Sequence, residues 1–338
     1  MKKSLIALAV MAASGASFAQ SSVTLYGIAD VWVGSLKSAP GASAVTLLNS
    51  GGVSTSRWGL TGTEDLGGGL KAIFKFEQGV GVDTGAAAGF DRLSYVGLSG
   101  GFGEVTFGKN WTAIDDIMGA SNSGFDSGLS ATQGVWLTNN YYYQYNPNNA
   151  IKYTSPKFGG FDFAASYALD EKASASEDIF DFRVSYANGP MAANLGYQVQ
   201  NGAVDTKITT VNGSFDFGMA KLLASYAQTK FASAKTQEYQ IGVDVPLSSA
   251  MTLSAGYAYS DRNTDAAMKI AADIAADPTK ASPTLAGSEN TGFGVAVAYS
   301  LSKRTTLYGG FSSAKGEDAA GKDVAKRQLF AAGVKHTF

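Results

Sequence analysis

Residues 291–301 read TGFGVAVAYSL, and their strict alternation of large apolar and small side chains decides the fold. The large apolar side chains occupy every second position: Phe293, Val295, Val297, Tyr299 and Leu301. The positions between them hold only small residues: Gly292, Gly294, Ala296, Ala298 and Ser300. Successive side chains of a β-strand point to opposite faces. This stretch therefore predicts a strand with one apolar face and one face of small residues.

The same alternation recurs along the chain, for example in FDFAASY (161–167) and MTLSAGYAY (251–259). It predicts sixteen strands, at 22–35, 53–65, 69–80, 90–99, 102–110, 145–154, 161–169, 179–187, 191–200, 206–216, 219–230, 235–245, 251–260, 290–301, 304–313 and 327–338. Tilted strands of about 9–11 residues are long enough to cross a membrane.

The connections between these strands alternate between short and mostly longer. Short turns, such as 66–68 and 188–190, alternate with mostly longer segments, such as 36–52 and 111–144. Transmembrane β-barrels have short periplasmic turns and longer external loops. Sixteen strands are enough to enclose a water-filled channel, and closure leaves no unpaired backbone in lipid. The pattern predicts an all-β fold, a sixteen-stranded antiparallel transmembrane β-barrel.

Composition excludes several classes of function. The 338 residues include no cysteine, which excludes a disulfide framework and a thiolate metal site. His336 is the one histidine and lies on the apolar face of the last predicted strand, a poor place for a catalytic base. The formal charge of −2 provides no basic surface for nucleic acid. We therefore expect no enzymatic activity, no cofactor or metal and no nucleic-acid partner.

The N-terminus has the three parts of a secretory signal peptide. Residues 1–19 read MKKSLIALAVMAASGASFA, with Lys2 and Lys3 before a short apolar stretch. Small residues, Ser17 and Ala19, precede the predicted cleavage site. The apolar stretch is too short to anchor the chain in a membrane. We expect residues 1–19 to be removed on export and residues 20–338 to form the barrel domain.

Five stretches of the chain resemble the general (non-specific) trimeric porins of Gram-negative outer membranes, especially the β-proteobacterial type. They are SSVTLYGIAD (21–30), SRWGLTGTEDLGGGLKAIFKFE (56–77), DRLSYVGLSGGFGEVTFGKN (91–110), NAIKYTSPKFGGFDFAASY (149–167) and FAAGVKHTF (330–338). The resemblance implies a homotrimer in the outer membrane, in contact with its lipids and lipopolysaccharide. It also implies a long third loop folded into each pore, where loop acids face basic residues of the wall.

The basic side of that constriction is expected at Arg57 and Arg92. Trp58 and Leu60 share a face that suits lipid, so alternation directs Arg57 toward the lumen. An arginine facing lipid at the membrane midplane would cost roughly 2–4 kcal/mol. The resemblance implies a pore arginine at both positions. Lys75 and Lys109 are further candidates for this basic wall.

The acidic side is expected on the third loop, 111–144, at Asp115, Asp116 and Asp126. Many relatives carry another pore arginine just before 149–151, but this chain has Asn146 there. Tyr141–Tyr143 either line the pore or pack the loop against the wall. Residues 264–277 are alanine-rich and favour a short external helix or a mobile loop.

These features predict passive diffusion of ions and small hydrophilic solutes. Without the signal peptide, 24 basic residues remain beside 28 acidic ones, a net charge of −4. Charges at the constriction should outweigh distant ones, because screening acts within about 10 Å at 0.1 M salt. We expect weak charge selectivity that favours anions. The alternatives are a substrate-specific outer-membrane channel and a barrel that only anchors adhesive loops.

Overall fold

The computed structural model describes residues 22–138, 143–172, 177–263, 265 and 288–338. Its strands are β1 Ser22–Lys37, β2 Val45–Ser50, β3 Arg57–Gly67, β4 Leu70–Gly79, β5 Leu93–Gly100, β6 Gly103–Lys109, β7 Ala150–Thr154, β8 Phe161–Ala168, β9 Ile179–Asn188, β10 Met191–Gln200, β11 Thr206–Asp216, β12 Lys221–Phe231, β13 Ala234–Pro246, β14 Met251–Arg262, β15 Glu289–Ser300, β16 Thr305–Glu317 and β17 Asp323–Thr337. The predicted signal peptide, Tyr141, Tyr142 and nearly all of 264–277 lie outside the described residues.

All seventeen segments form one antiparallel sheet, which closes because β1 pairs with β17. β1 is long enough to have two partners on its other edge. Residues Ser22–Ile28 pair with β3, and Val31–Leu36 pair with β2. β2 and β3 therefore share one position in the wall, and the barrel has sixteen positions, as predicted.

β2 was not predicted, because the sequence analysis assigned 36–52 to a loop. The residues between β2 and β3 are held by Asp30, whose side chain is buried on the inner face of β1. Its carboxylate accepts hydrogen bonds from the backbone of Gly52 (2.9 Å), Val53 (3.1 Å) and Ser54 (2.8 Å). This contact joins distant parts of the chain, so local alternation could not indicate it.

The two faces of the wall differ as the alternation predicts. Outward side chains such as Ile241 and Phe330 are exposed and apolar, at 62% and 63% of their full accessibility. Inward side chains such as Gln198 and Glu238 are polar and buried. Only the outer face therefore suits lipid.

The predicted strands are confirmed with differences at their ends. The largest concerns β7, which begins at Ala150 and not at residue 145. Asn149 has a φ of 54°, a left-handed conformation through which a strand does not continue. Short turns such as 68–69 and 101–102 alternate with mostly longer connections.

The third loop, which connects β6 to β7 through residues 110–149, contains short helical segments. Helix α1 spans Asp115–Met118, and a 3-10 turn spans Gly124–Asp126. No helix among the described residues is long and apolar enough to cross a membrane.

Candidate functional site

The third loop packs against the inner face of the wall from β9 to β14. The Ile114 amide donates to Asp181 Oδ1 of β9 at 3.0 Å, and the Gly124 amide donates to Ser254 Oγ of β14 at 2.8 Å. On the return path, the Thr138 amide donates to Glu238 Oε2 of β13 at 3.1 Å. All three acceptors belong to buried side chains, so the wall satisfies backbone donors of the loop.

The tip of the loop extends to the last strands of the barrel. Gly128 O accepts hydrogen bonds from Arg327 Nη2 (3.1 Å) and Ser312 Oγ (3.0 Å). Within the described structure, no hydrogen bond or ion pair joins residues 113–135 to β3, β4 or β5. Closer to the ends of the loop, the Trp111 ring lies 4.9 Å from the Arg92 guanidinium, and Asn146 Nδ2 donates to Arg92 O at 3.3 Å. The inner faces of β3, β4 and β5 are thus the part of the wall that residues 113–135 leave without such contacts. We call this part the open wall.

Two of the predicted basic residues, Arg57 and Arg92, meet at one carboxylate of the open wall. Glu77 is buried on β4, with Arg92 Nε 2.7 Å from Oε1 and Arg57 Nε 3.5 Å from Oε2. Tyr26 also donates its hydroxyl to Glu77 Oε2 at 2.8 Å. Strand register explains the cluster, because Tyr26 and Glu77 both lie beside Gly59. Two cations with one anion leave a formal charge of +1.

The other two basic candidates have separate surroundings. Lys75 Nζ lies 5.0 Å from the ring centroid of Tyr26, close to the same cluster. Lys109 Nζ instead donates to Asn146 O (2.8 Å) and Asn148 Oδ1 (3.1 Å) at the base of the third loop. Lys109 therefore fastens the returning end of the loop.

The predicted loop acids do not pair with Arg57 or Arg92. Asp116 pairs with Lys152 Nζ of β7 at 2.7 Å and with Arg183 Nε of β9 at 3.0 Å. Arg183 also pairs with Asp162 of β8. We call these four residues the paired cluster; its two cations and two anions have no net formal charge.

Asp115 and Asp126 have neutral partners. Tyr143 donates its hydroxyl to Asp115, and Asn122 Nδ2 donates to Asp126 Oδ1 at 2.6 Å. Burial raises the pKa of Asp115 to about 6, although the hydrogen bond from Tyr143 opposes this shift. The Tyr143 ring packs against the buried cluster that contains Ile114 and Leu137. Tyr143 therefore packs the loop against the wall, one of the two roles left open for it.

Lys152, Arg183 and the part played by Glu77 were not predicted from the sequence. Strand alternation could have indicated that both basic side chains point into the lumen. Arg183 alternates with the outward residues Phe182 and Val184, and Lys152 alternates with Ile151. Their acidic partners could not be inferred, because pairing depends on strand register and on the path of the loop. Within the described ranges, no three histidine, cysteine or acidic residues are grouped to hold a metal ion.

A closed barrel with an apolar outer face and a charged lumen defines a transmembrane channel. Comparison with known proteins supports the same class of protein. Residues 5–319 match the Gram-negative porin family. Outer membrane porin protein 32 of Delftia acidovorans is 37% identical over 361 residues, covering 99% of this chain and 95% of the relative. An outer membrane porin of Bordetella pertussis is 29% identical, with all of both chains covered.

Solved structures include a similar barrel. The anion-selective porin from Comamonas acidovorans is 30% identical and has a TM-score of 0.78, with 94% of this chain and all of that chain covered. The present chain therefore belongs to the Gram-negative porin family and is an outer-membrane channel protein. The resemblance noted in the sequence, the fold class and the outer-membrane location are confirmed.

Proposed function

We propose that this porin lets ions and small hydrophilic solutes diffuse passively, with a weak preference for anions. The unequal pairing of charges inside the barrel carries this proposal. Arg57 and Arg92 share only Glu77, whereas the paired cluster around Asp116 is neutral. The open wall therefore retains the uncompensated positive charge, to which Lys75 adds. The anion-selective porin from Comamonas acidovorans supports the proposal by similarity.

We also propose that the third loop narrows the pore, with the open wall opposite it. Its contacts with β9, β13 and β14 support an inward path. In this arrangement solutes pass between the loop and Arg57, Arg92 and Lys75. A gap bounded by acidic groups on one side and basic groups on the other would select by size and weakly by charge.

Reversal potentials across a planar bilayer with a KCl gradient test the anion preference. The double variant Arg57→Gln/Arg92→Gln should lower the chloride-to-potassium permeability ratio at least twofold, because it removes two charges near the path. Lys303→Gln, in the turn between β15 and β16, is the matched control and should change little. An unchanged ratio in the double variant would refute the role of the open wall. Current that saturates with one solute would instead favour the substrate-specific alternative.

Two further proposals concern assembly and processing. We propose that the chain forms a homotrimer, as trimeric porins do, which cross-linking of the purified protein would show. We also propose that residues 1–19 are a signal peptide. N-terminal sequencing of the exported protein should then begin at Gln20, and a retained Met1 would contradict cleavage.

We propose, finally, that the outer rim binds phosphorylated lipid of the outer leaflet, such as lipopolysaccharide. Lys207, Lys230 and Lys235 are direct cross-strand neighbours on β11, β12 and β13, at the end of the barrel where the third loop also lies. Each alternates with buried inward residues, so all three point outward. Tyr226 and Tyr239 lie deeper on the same face, as in an interfacial aromatic girdle.

Native mass spectrometry with bisphosphorylated lipid A tests this rim. Changing Lys207, Lys230 and Lys235 to Gln should reduce the bound fraction severalfold. The matched control changes three lysines near the short turns, Lys157, Lys221 and Lys303. Equal loss of lipid in both triple variants would contradict a specific rim site.

A further inference from the structure

A cavity of about 180 Å³ lies inside the barrel, apart from the open wall. It lies between the tip of the third loop and the inner faces of β1, β2, β16 and β17 and is partly open. Its lining is mixed. Apolar side chains such as Trp32, Leu47, Leu129 and Leu329 lie beside the polar side chains of Asn49, Ser50, Tyr308 and Arg327. We call this cavity the side chamber.

Arg327 lines the side chamber with a positive charge that no carboxylate balances. Its guanidinium donates from Nη1 to Ser312 Oγ (2.9 Å) and from Nη2 to Gly128 O (3.1 Å), both neutral acceptors. In the described part of the chain, Arg327 forms no ion pair. A guanidinium has five N–H donors, so these two bonds leave three for a ligand.

The nearby carboxylate of Asp30 is already committed to other donors. It accepts three backbone amides between β2 and β3, and Tyr308, which lines the chamber, donates its hydroxyl to it. The carboxylate of Asp30 is therefore occupied by these four donors. The positive charge of Arg327 has no carboxylate partner among the described residues. A partly buried cation without a counter-ion is unfavourable, so this position favours an anionic ligand.

The lining also restricts the rest of the ligand. Trp32 and four leucines (Leu36, Leu47, Leu129 and Leu329) offer flat and branched apolar surface in the same cavity as the guanidinium. A cavity of about 150 Å³ lined by Leu, Ile and Phe side chains can hold one benzene ring. The side chamber thus has room for one six-carbon ring together with a carboxylate.

We propose that the side chamber is a binding site for small monocarboxylates with an apolar body of about the size of benzoate. The carboxylate lies on Arg327, and the apolar body lies between Trp32, Leu129 and Leu329. The ligand bridges the loop tip and the wall, because Leu129 belongs to the loop and Arg327 to β17. This site is separate from Arg57 and Arg92 and does not depend on the anion preference proposed for the open wall.

Calorimetric titration of the purified full-length porin with benzoate tests the site, with benzyl alcohol as an uncharged ligand of similar shape. We expect saturable binding of benzoate and at least tenfold weaker binding of benzyl alcohol. Arg327→Met should weaken benzoate binding at least tenfold. Arg92→Gln is the matched control in the open wall and should leave benzoate affinity unchanged.

Arg327 also holds the loop tip, so a second variant separates ligand binding from loop position. Ala331→Leu adds bulk to the chamber lining and leaves both hydrogen bonds of Arg327 in place. It should also abolish benzoate binding, while circular dichroism shows an intact barrel. Benzoate affinity retained in Ala331→Leu, equal affinity for benzyl alcohol, or loss of affinity in Arg92→Gln would each overturn the proposal. The reversal potentials of these variants report separately on the open wall.

Discussion

The open wall and the paired cluster each bring two strongly basic side chains to the lumen, but they balance them differently. On the open wall, Arg57 and Arg92 share the single carboxylate of Glu77. In the paired cluster, Asp116 pairs with both Lys152 and Arg183, and Asp162 pairs with Arg183. A count of basic residues would rank the two regions as equal. Their pairing differs, because it leaves a net formal charge on the Arg57–Glu77–Arg92 cluster and none on the paired cluster.

The two regions also differ in what a substitution there would change, the charge of the lumen alone or the attachment of the third loop as well. Asp116 belongs to α1 of the third loop, so the paired cluster fastens the loop to β7 and β9. Glu77 instead joins groups of neighbouring strands that the sheet already holds in register. Changes in the paired cluster should therefore affect loop position as well as charge, whereas changes in the open wall should affect charge alone.

The largest expected effect on selectivity comes from Glu77→Gln. This change raises the formal charge of the Arg57–Glu77–Arg92 cluster from +1 to +2. It thereby increases the difference in net charge between the open wall and the paired cluster. We expect the chloride-to-potassium permeability ratio to rise about threefold, because one charge several ångströms from the path is worth about 0.6 kcal/mol in water. Reversal potentials in a KCl gradient measure the ratio.

Glu64→Gln is the matched control for Glu77→Gln, because Glu64 is also a wall glutamate but is exposed on β3 and lies outside the Arg57–Glu77–Arg92 cluster. It should change the ratio less. A ratio that falls in Glu77→Gln would show that Arg57 and Arg92 move out of the lumen when they lose their shared acceptor. That result would remove the contrast between the two regions.

A smaller effect is expected from Asp116→Asn, which makes the paired cluster resemble the open wall. Arg183 would then keep only Asp162, and Lys152 would lose the carboxylate it pairs with; both cations are buried. We expect the permeability ratio to rise about twofold. We also expect the loop attachment to weaken by roughly 1–3 kcal/mol, the usual cost of leaving buried donors unpaired.

Asp162→Asn separates these two effects. Like Asp116→Asn, it removes one negative charge from the paired cluster. Unlike Asp116→Asn, it leaves the bonds of Asp116 to Lys152 and Arg183 in place. Proteolysis of the third loop should be faster in Asp116→Asn than in Asp162→Asn. Similar proteolysis in the two variants would show that Asp116 does not fasten the loop.

The contrast between the two regions marks how far sequence reasoning extends. Alternation predicted the sixteen wall positions and the inward direction of Arg57, because both follow from the two-residue repeat of a strand. It could not predict that Glu77 lies between Arg57 and Arg92, since that depends on the register of β3, β4 and the segment before β5. The pairing of Asp116 with Arg183 depends in addition on the path of a long loop. Contacts set by register and loop path join residues distant in sequence and have no local signature.

The smallest expected effect is the dependence of selectivity on pH through Asp115. Its pKa is raised from 3.8 to about 6, mainly by burial in the third loop. Tyr143 donates a hydrogen bond to it, and the charges that act on it are those of Asp116, Lys152 and Asp126. A carboxyl with a raised pKa binds its proton more tightly in the folded state. Its contribution to loop stability is therefore fully present below about pH 4 and is lost as the pH rises through about 6.

Acidification from pH 7.5 to pH 5 should accordingly protonate Asp115 and remove one negative charge from the loop. We expect the chloride-to-potassium permeability ratio to increase by less than twofold, because Asp115 is buried and its charge acts on the lumen through the loop. Asp115→Asn should show the higher ratio at both pH values and lose the step near pH 6. Asp126→Asn retains Asp115 and should retain the step. A step that persists in Asp115→Asn would assign the titration to another group and leave the comparison between open wall and paired cluster unaffected.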